Sequence, residues 1–139
     1  MCKWKDIIII QAKGKRRIPI KATVMQHACS IIHTEAELGR TIAYTNIMNC
    51  LKNQGHKKIY RGTIGNIVGE VSNQVSQITN PSIYPSAIVV RKGTKQAGPG
   101  FWNLHRGTAP PNSVTKNHRR KQMNQYQQDV FMFDWDCNC

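Results

Sequence analysis

One segment, residues 59–78, constrains the fold of this chain more than any other. Its apolar residues recur at intervals of three and four, which places them along one side of an amphipathic α-helix. They are Ile64, Ile67, Val68, Val71, Val75 and Ile78. The prolines of "NPSIYP" at 80–85 end this helix, because proline neither continues the hydrogen-bond ladder nor favours a helical residue before it. The chain must therefore bury a long helix against its other elements.

Three glycines interrupt this regular pattern, at Gly62, Gly65 and Gly69. Each costs about 1 kcal/mol of helix propensity relative to alanine. We therefore expect another group to pack close to the helix backbone. A neighbouring helix would explain the glycines, and so would the phosphate backbone of a nucleic acid.

The N-terminal third predicts a hairpin followed by a helix. Two apolar stretches within residues 5–21 flank a turn around Gly14, and Pro19 places the second strand at an edge. Residues 22–38 carry apolar residues at helical spacing. Gly39 can close that helix in the left-handed conformation.

The remaining pattern has the order of a winged helix. A short extended stretch, 41–44, leads into a helix that we expect to begin with an N-cap at Thr45 or Asn46 and to end at Gly55. After the long helix, "SAIVVRK" predicts a buried strand, "GTKQAGPG" a loop and "FWNL" a returning strand. We predict an α+β fold with a winged helix-turn-helix core, an N-terminal β-hairpin and a basic C-terminal extension.

The composition divides the chain into three parts. Residues 1–104 hold the hairpin and the winged-helix-like domain, and residues 105–128 form a polar, basic linker or arm, or a solvated basic helix over 116–128. Residues 129–139 contain Val130, Phe131, Phe133 and Trp135, which suit docking on the domain or on another subunit. A homo-oligomer is one possible result.

The charge balance favours a polyanionic partner. Lysine and arginine total 20 against 7 acidic residues, giving a formal net charge of +13 and a pI near 9.9. Nucleic acid is the partner that such a surface favours. The chain lacks a long basic amphipathic helix with aromatic anchors, so we expect no membrane partner. An acidic protein partner is the alternative.

Four short stretches carry a family resemblance. They are "GRTIAY" before the second helix, "YRGTIG" at the start of the third, "NP" at its end and "YPSAIVVRKG" after it. Residues 39–102 thereby resemble the winged helix-turn-helix of the alkylguanine-DNA alkyltransferases and alkyltransferase-like proteins. The resemblance implies a recognition helix whose first arginine, here Arg61, fills the gap left by a flipped nucleotide.

The resemblance does not extend to the chemistry of that family. Where the family has Pro-Cys-His-Arg with its nucleophilic cysteine, this chain has Pro85, Ser86, Ala87 and Ile88. The cysteine, histidine and arginine are all absent from the motif. The resemblance therefore implies an architecture for binding DNA and gives no support for alkyl transfer.

The candidate contacts with nucleic acid fall into three groups. Basic residues at the start of the third helix suit phosphates at a helix N-terminus, amides along it suit base edges, and the wing and arm supply further charge. The candidates are Lys57, Lys58, Arg61, Asn66, Asn73, Arg91, Lys92, Lys95, Arg119, Arg120 and Lys121.

Catalytic and metal-binding patterns are weak. Ser86 has no histidine nearby in sequence to activate it, and we interpret it as a small residue at the start of a strand. Asp134 and Asp136 are the candidate ligands of a metal-dependent nuclease. His27, Cys29, His33, Cys137 and Cys139 could bind zinc, but "CNC" is not a C-x-x-C pair. We expect no cofactor and no metal.

The cysteine count and the missing signal peptide predict the compartment. The chain has 5 cysteines and no N-terminal apolar run with a cleavage pattern. We expect reduced thiols and a cytoplasmic or nucleoid-associated protein that is not secreted.

We therefore predict a non-enzymatic protein that binds nucleic acid, with duplex DNA favoured because a helix and a wing suit its grooves. It would act as a regulator or as an accessory factor of a phage or mobile element. One alternative is a small nuclease or base-modifying enzyme. Another is an interaction protein that binds and blocks an acidic partner.

Overall fold

The computed structural model describes residues 4–11, 16–56, 59, 61–93, 97 and 116–137. The predicted "FWNL" strand lies outside these residues. The described elements, in chain order, are β1 (Ile7–Gln11), β2 (Arg16–Ile20), α1 (Ala22–Glu37), β3 (Ile42–Ala43), α2 (Tyr44–Asn53), α3 (Arg61–Ile78), a 3-10 helix (Pro85–Ile88), β4 (Val89–Val90) and α4 (Lys116–Met132).

The N-terminal hairpin is confirmed. β1 and β2 pair antiparallel, with Ile8 opposite Pro19, and β1 contacts α3. The backbone N–H of Ala22 donates a hydrogen bond of 2.8 Å to Oδ1 of Asp6, which precedes β1. A carboxylate at the first residue of a helix satisfies one of its free N–H groups and complements its dipole. This bond therefore holds the start of the hairpin against the start of α1.

The helix predicted over residues 22–38 is also confirmed. α1 buries Val24, Met25, Ala28, Cys29, Ile32 and Ala36 along one face. Gly39 follows the C-cap at a φ of +68°, a conformation that glycine adopts without a steric penalty. The buried face of α1 packs against α2 and α3.

α3 supplies the central part of the core. Its residues Ile67, Val71 and Val75 are fully buried, and α1, α2 and β1 all contact this helix. The predicted apolar stripe is confirmed up to Val75. The last member, Ile78, is 48% exposed because the helix ends there.

A short parallel pairing joins β3, which precedes α2, to β4, which follows α3. Ile42 of β3 lies opposite Val89 of β4, and Ala43 lies opposite Val90. The segment before α2 therefore lies beside the segment after α3. The predicted N-cap of α2 is wrong, since Ala43 occupies that position and no side chain bonds there.

The predicted strand "SAIVVRK" is wrong in its first half. Residues Pro85–Ile88 form a 3-10 helix, and only Val89–Val90 are extended. The N–H of Ala87 donates to the carbonyl of Tyr84 at 2.9 Å, while Ser86 bonds to Ser72 of α3. These bonds stabilise a helical turn at this point, so the backbone does not pair as a strand. Proline suits the first position of such a helix.

α4 is a helix packed on the core. Met123, Gln127 and Val130 are buried on one face, which lies against the 3-10 helix and α1. Nε2 of Gln127 donates to the carbonyl of Ala87 at 3.0 Å. Because this packing is continuous, the boundary expected between residues 128 and 129 falls inside a helix.

The C-terminal segment folds back onto α1. Cys29 and Cys137 form a disulfide with a Cα–Cα distance of 5.8 Å, and Trp4 Nε1 donates to the Cys137 carbonyl at 3.1 Å. The expectation of reduced thiols is wrong for this pair, because the fold of α1 and the segment after α4 brings the two residues together. Among the described residues, no helix has the length and apolar character to cross a membrane.

Candidate nucleic-acid interface

The outer face of α3 is polar. Asn66 and Asn73 are both exposed, and they lie seven residues apart, which is about two helical turns. Gly62 and Gln77 are exposed on the same side. The opposite side carries the buried apolar stripe, so packing into the core fixes which side faces outward. The predicted face of amides therefore forms as a continuous strip.

Two hydrogen bonds hold side chains along this strip. Nε2 of Gln74 donates to Oε1 of Glu70 at 3.1 Å, and Nε2 of Gln77 donates to Oδ1 of Asn73 at 3.4 Å. Glu70 is an acid on this face and would repel phosphate. A carboxylate can instead accept a hydrogen bond from the amino group of cytosine.

No packing contact in the described part of the chain requires a glycine at position 65. A Cβ built at this position meets no heavy atom within 4 Å, and the residue is exposed. Close approach of another described helix therefore does not explain this glycine. The other explanation that the sequence left open, the approach of an external backbone, stays a prediction at position 65.

The turn between α2 and α3 is tied to α1 by two histidines. Nδ1 of His27 on α1 lies 2.8 Å from Nε2 of His56, with the ring centroids 5.0 Å apart. Burial, and then the charges of His27 and Lys21, lower the pKa of His56 below its ordinary value of 6.5. These surroundings therefore favour the neutral form of the His56 ring, which shares one hydrogen bond with His27.

A basic turn follows β4. Arg91 and Lys92 are exposed, and Gly93 takes a φ of +80°. Val90 forms an antiparallel bridge with Ala97, so the chain turns back after the two basic residues. This arrangement suits the wing that the sequence predicts, with Arg91 and Lys92 directly after β4.

The other predicted basic residues lie on α4, at the start of α3, or outside the described residues. Arg120 and Lys121 are exposed on α4, and Arg119 precedes them on the same helix. Arg61 is the first residue of α3. Lys57, Lys58 and Lys95 lie outside the described residues.

The geometry of Ser86 does not suit a nucleophile. The residue is 2% exposed, and both its hydroxyl and its N–H bond to Oγ of Ser72, at 2.9 and 3.3 Å. The two buried hydroxyls satisfy each other and fasten the 3-10 helix to α3. Nucleophilic catalysis needs an adjacent base and access to substrate. At Ser86 the neighbouring group is a second serine, and burial keeps substrate away from the hydroxyl.

The candidate metal ligands that the structure describes do not gather either, and Cys139 lies outside the described residues. Cys29 and Cys137 are bonded to each other. Within the described ranges, no three histidine, cysteine or acidic side chains lie close enough together to hold a metal ion. Asp134 and Asp136, the candidate nuclease carboxylates, are exposed beside the C-terminal end of α3.

The sequence did not predict the His27–His56 pair or the Ser72–Ser86 pair. Their partners lie 29 and 14 positions apart and on different elements. Neither residue spacing nor composition marks such a pair, because tertiary packing alone brings the partners together.

Comparisons with known proteins identify no relative, so the function is inferred from the geometry of the chain itself. No protein-family model matches the chain, and no match was found among curated proteins or solved structures.

Proposed function

We propose that this chain is a non-enzymatic nucleic-acid-binding protein with a winged helix-turn-helix core, and that duplex DNA is its preferred partner. The observation that carries the proposal is the outward side of α3, where exposed amides and the unpacked Gly65 lie on a helix whose other side is buried in the core. Such a helix can enter a major groove without rearrangement of the core.

The order of elements supports the winged-helix assignment. α1 is followed by a short strand, then by α2 and α3, and then by a second short strand with an antiparallel return at Ala97. This is the order expected of two helices joined by a turn and followed by a wing. The resemblance of residues 39–102 to the DNA-binding part of the alkyltransferases agrees with it.

Each group of residues would make a different kind of contact. Asn66 and Asn73 can each offer an acceptor and a donor to an adenine edge. Arg91 and Lys92 would contact phosphates from the wing, and Arg61 would do so from the start of α3. Phosphate contacts set affinity and register, whereas the amides would set sequence preference.

Salt dependence is the property to measure. Fluorescence anisotropy would compare duplex DNA, single-stranded DNA and duplex RNA over a salt series. We expect saturable binding to the duplex. The logarithm of the association constant should fall linearly with the logarithm of the salt concentration, with a slope of about −0.9 per phosphate contacted on B-DNA. Lys92→Ala should weaken binding to every duplex sequence and reduce that slope by about 1.

Arg40→Ala is the matched control for Lys92→Ala. It makes the same change in net charge, but Arg40 lies after α1, where its Nε is 3.0 Å from Oε2 of Glu35. We expect this variant to keep the slope of the unmodified chain. Equal losses in both variants, or no saturable binding to any of the three nucleic acids, would refute the proposal and turn attention to an acidic protein partner.

A further inference from the structure

A groove separates the end of α3 from the segment that follows α4. Its volume is about 340 Å³, the low end of the range that holds small ligands or a few side chains. The lining residues are Ile78, Thr79, Asn80, Pro81, Ile83, Phe133, Asp134, Trp135 and Asp136.

Large apolar side chains are exposed at this groove. Ile78 on one side is 48% exposed, and Phe133 on the other is 45% exposed. Met132, next to Phe133 in the chain, is 79% exposed. Exposed apolar residues are ordinary when scattered, but those that gather around a concave site mark a contact surface.

The charge of the groove is opposite to that of the chain. Residues 129–136 carry three of the 7 acidic residues and no lysine or arginine, in a chain of net charge +13. Asp134 and Asp136 line the groove and are exposed. The described lining of the groove therefore carries acidic side chains and no basic ones, on a protein of opposite net charge.

The end of α3 adds to this negative charge. The C-terminus of a helix carries roughly half an elementary negative charge. α3 has no basic residue in its last turn, which lies within the described residues, and the next three residues line the groove. A cation placed there would face the carboxylate of Asp134 and the carbonyl end of the helix.

We propose that this groove docks a basic peptide segment of another protein, one in which arginine or lysine alternates with a bulky apolar side chain. The cation would lie near Asp134 and the end of α3, and the apolar side chain would cover Ile78 and Phe133. A second copy fits less well, because a two-fold contact through this face would set its carboxylates against each other.

The docking surface does not depend on nucleic-acid binding. It lies at the C-terminal end of α3, whereas Arg61 lies at the other end, about 27 Å away for an 18-residue helix. The protein could therefore hold a basic partner at one end of this helix while its outer face is occupied.

Peptide titration tests the proposal with the full chain. The probe is a fluorescein-labelled six-residue peptide that alternates arginine with leucine, followed by anisotropy at low salt. We expect saturable binding that weakens about two- to fivefold in Asp134→Asn, as for an exposed charge pair. Phe133→Ser should weaken it by about fivefold or more.

Asp129→Asn is the matched control, since it removes the same charge from a residue that does not line the groove. It should bind the peptide as the unmodified chain does, and thermal melts would verify that all three variants fold. Absence of saturable binding, or equal effects of the changes at 129 and 134, would overturn the proposal.

Two further outcomes would reassign the groove. Equal binding of spermine, or of a peptide with serine in place of leucine, would make it a site for cations without apolar recognition. Self-association that sedimentation detects in the unmodified chain and not in Phe133→Ser would make it a contact between copies. Either result would overturn docking of a basic partner.

Discussion

His27 and His56 share a hydrogen bond of 2.8 Å between Nδ1 and Nε2, and this bond joins α1 to the turn between α2 and α3. One ring must donate and the other must accept, so the bond requires that at least one ring be neutral. The contact between α1 and the turn before α3 therefore depends on a neutral ring, and the lowered pKa of His56 favours one.

The first prediction concerns pH. The folded state lowers the pKa of His56, through burial first and then the nearby His27 and Lys21, so the unfolded state binds more protons near pH 6. The free energy of unfolding should be highest above about pH 6.5, the ordinary histidine pKa, and fall as the pH drops through the lowered value. Urea unfolding at a series of pH values from 8 to 5 would measure this dependence.

His56→Asn should flatten that profile, because the variant has no imidazole at this half-buried position. His33→Asn is the control, since His33 lies beside Glu37 at 3.6 Å and faces a carboxylate. We expect it to retain the loss of stability in acid. Profiles of equal steepness for the unmodified chain and His56→Asn would refute the role of the pair.

The second prediction separates stability from binding at Gly65. Gly65→Ala should raise the free energy of unfolding by up to about 1 kcal/mol, since the added methyl group meets no described neighbour. It should lower affinity for duplex DNA if a phosphate backbone approaches α3 there. Thermal melts and anisotropy on the same preparation would measure both.

Ser30→Ala supplies the control for Gly65→Ala. Ser30 is exposed on α1, away from the outer face of α3, and alanine favours the helix there also. We expect a small gain in stability with unchanged affinity. A Gly65→Ala variant that gains stability and binds as before would show that nothing approaches this backbone.

The third prediction concerns the disulfide. Cys29 and Cys137 lie 108 positions apart, and closing a loop of that length removes much conformational freedom from the unfolded chain. Replacing both by alanine should lower the free energy of unfolding by about 2–5 kcal/mol. Reductant should destabilise the unmodified chain by a similar amount and leave the double variant unchanged. Insensitivity of the unmodified chain to reductant would contradict this pairing.

The fourth prediction concerns Gln127, which is 7% exposed and donates to the carbonyl of Ala87. Gln127→Ala leaves that buried carbonyl without this donor, at a cost of about 1–3 kcal/mol. Gln125→Ala removes an exposed bond to Asp129 and should change stability by less than about 0.5 kcal/mol. Equal effects in urea unfolding would show that α4 does not depend on the buried contact.

Periodicity predicted much of the fold. The positions of α1 and α3, the hairpin and the closing role of Gly39 followed from apolar spacing and turn residues, because these depend on local backbone preference and on one buried face. The 3-10 helix at Pro85–Ile88 did not follow, since its stability comes from bonds to Ser72 and Gln127 on other elements.

The candidate site was predictable to a smaller extent. The outer face of α3 with Asn66 and Asn73 follows from the same helical spacing that places Ile67 inside. The groove beside Phe133 does not, because it depends on the angle at which the segment after α4 meets the end of α3. The disulfide was missed for a related reason, since pairing depends on which cysteines the fold brings into contact.

The anchoring of α4 has a consequence for the order in which the domain can form during synthesis. The carbonyl of Ala87 accepts its hydrogen bond from Gln127, which lies 40 positions later in the chain. Cys29 forms its disulfide with Cys137, which lies 108 positions later. The nascent chain can assemble α1, α2 and α3 while the buried sides of the 3-10 helix and of Cys29 still face water. A chaperone that binds exposed apolar surface would meet this protein in that interval, before α4 has left the ribosome.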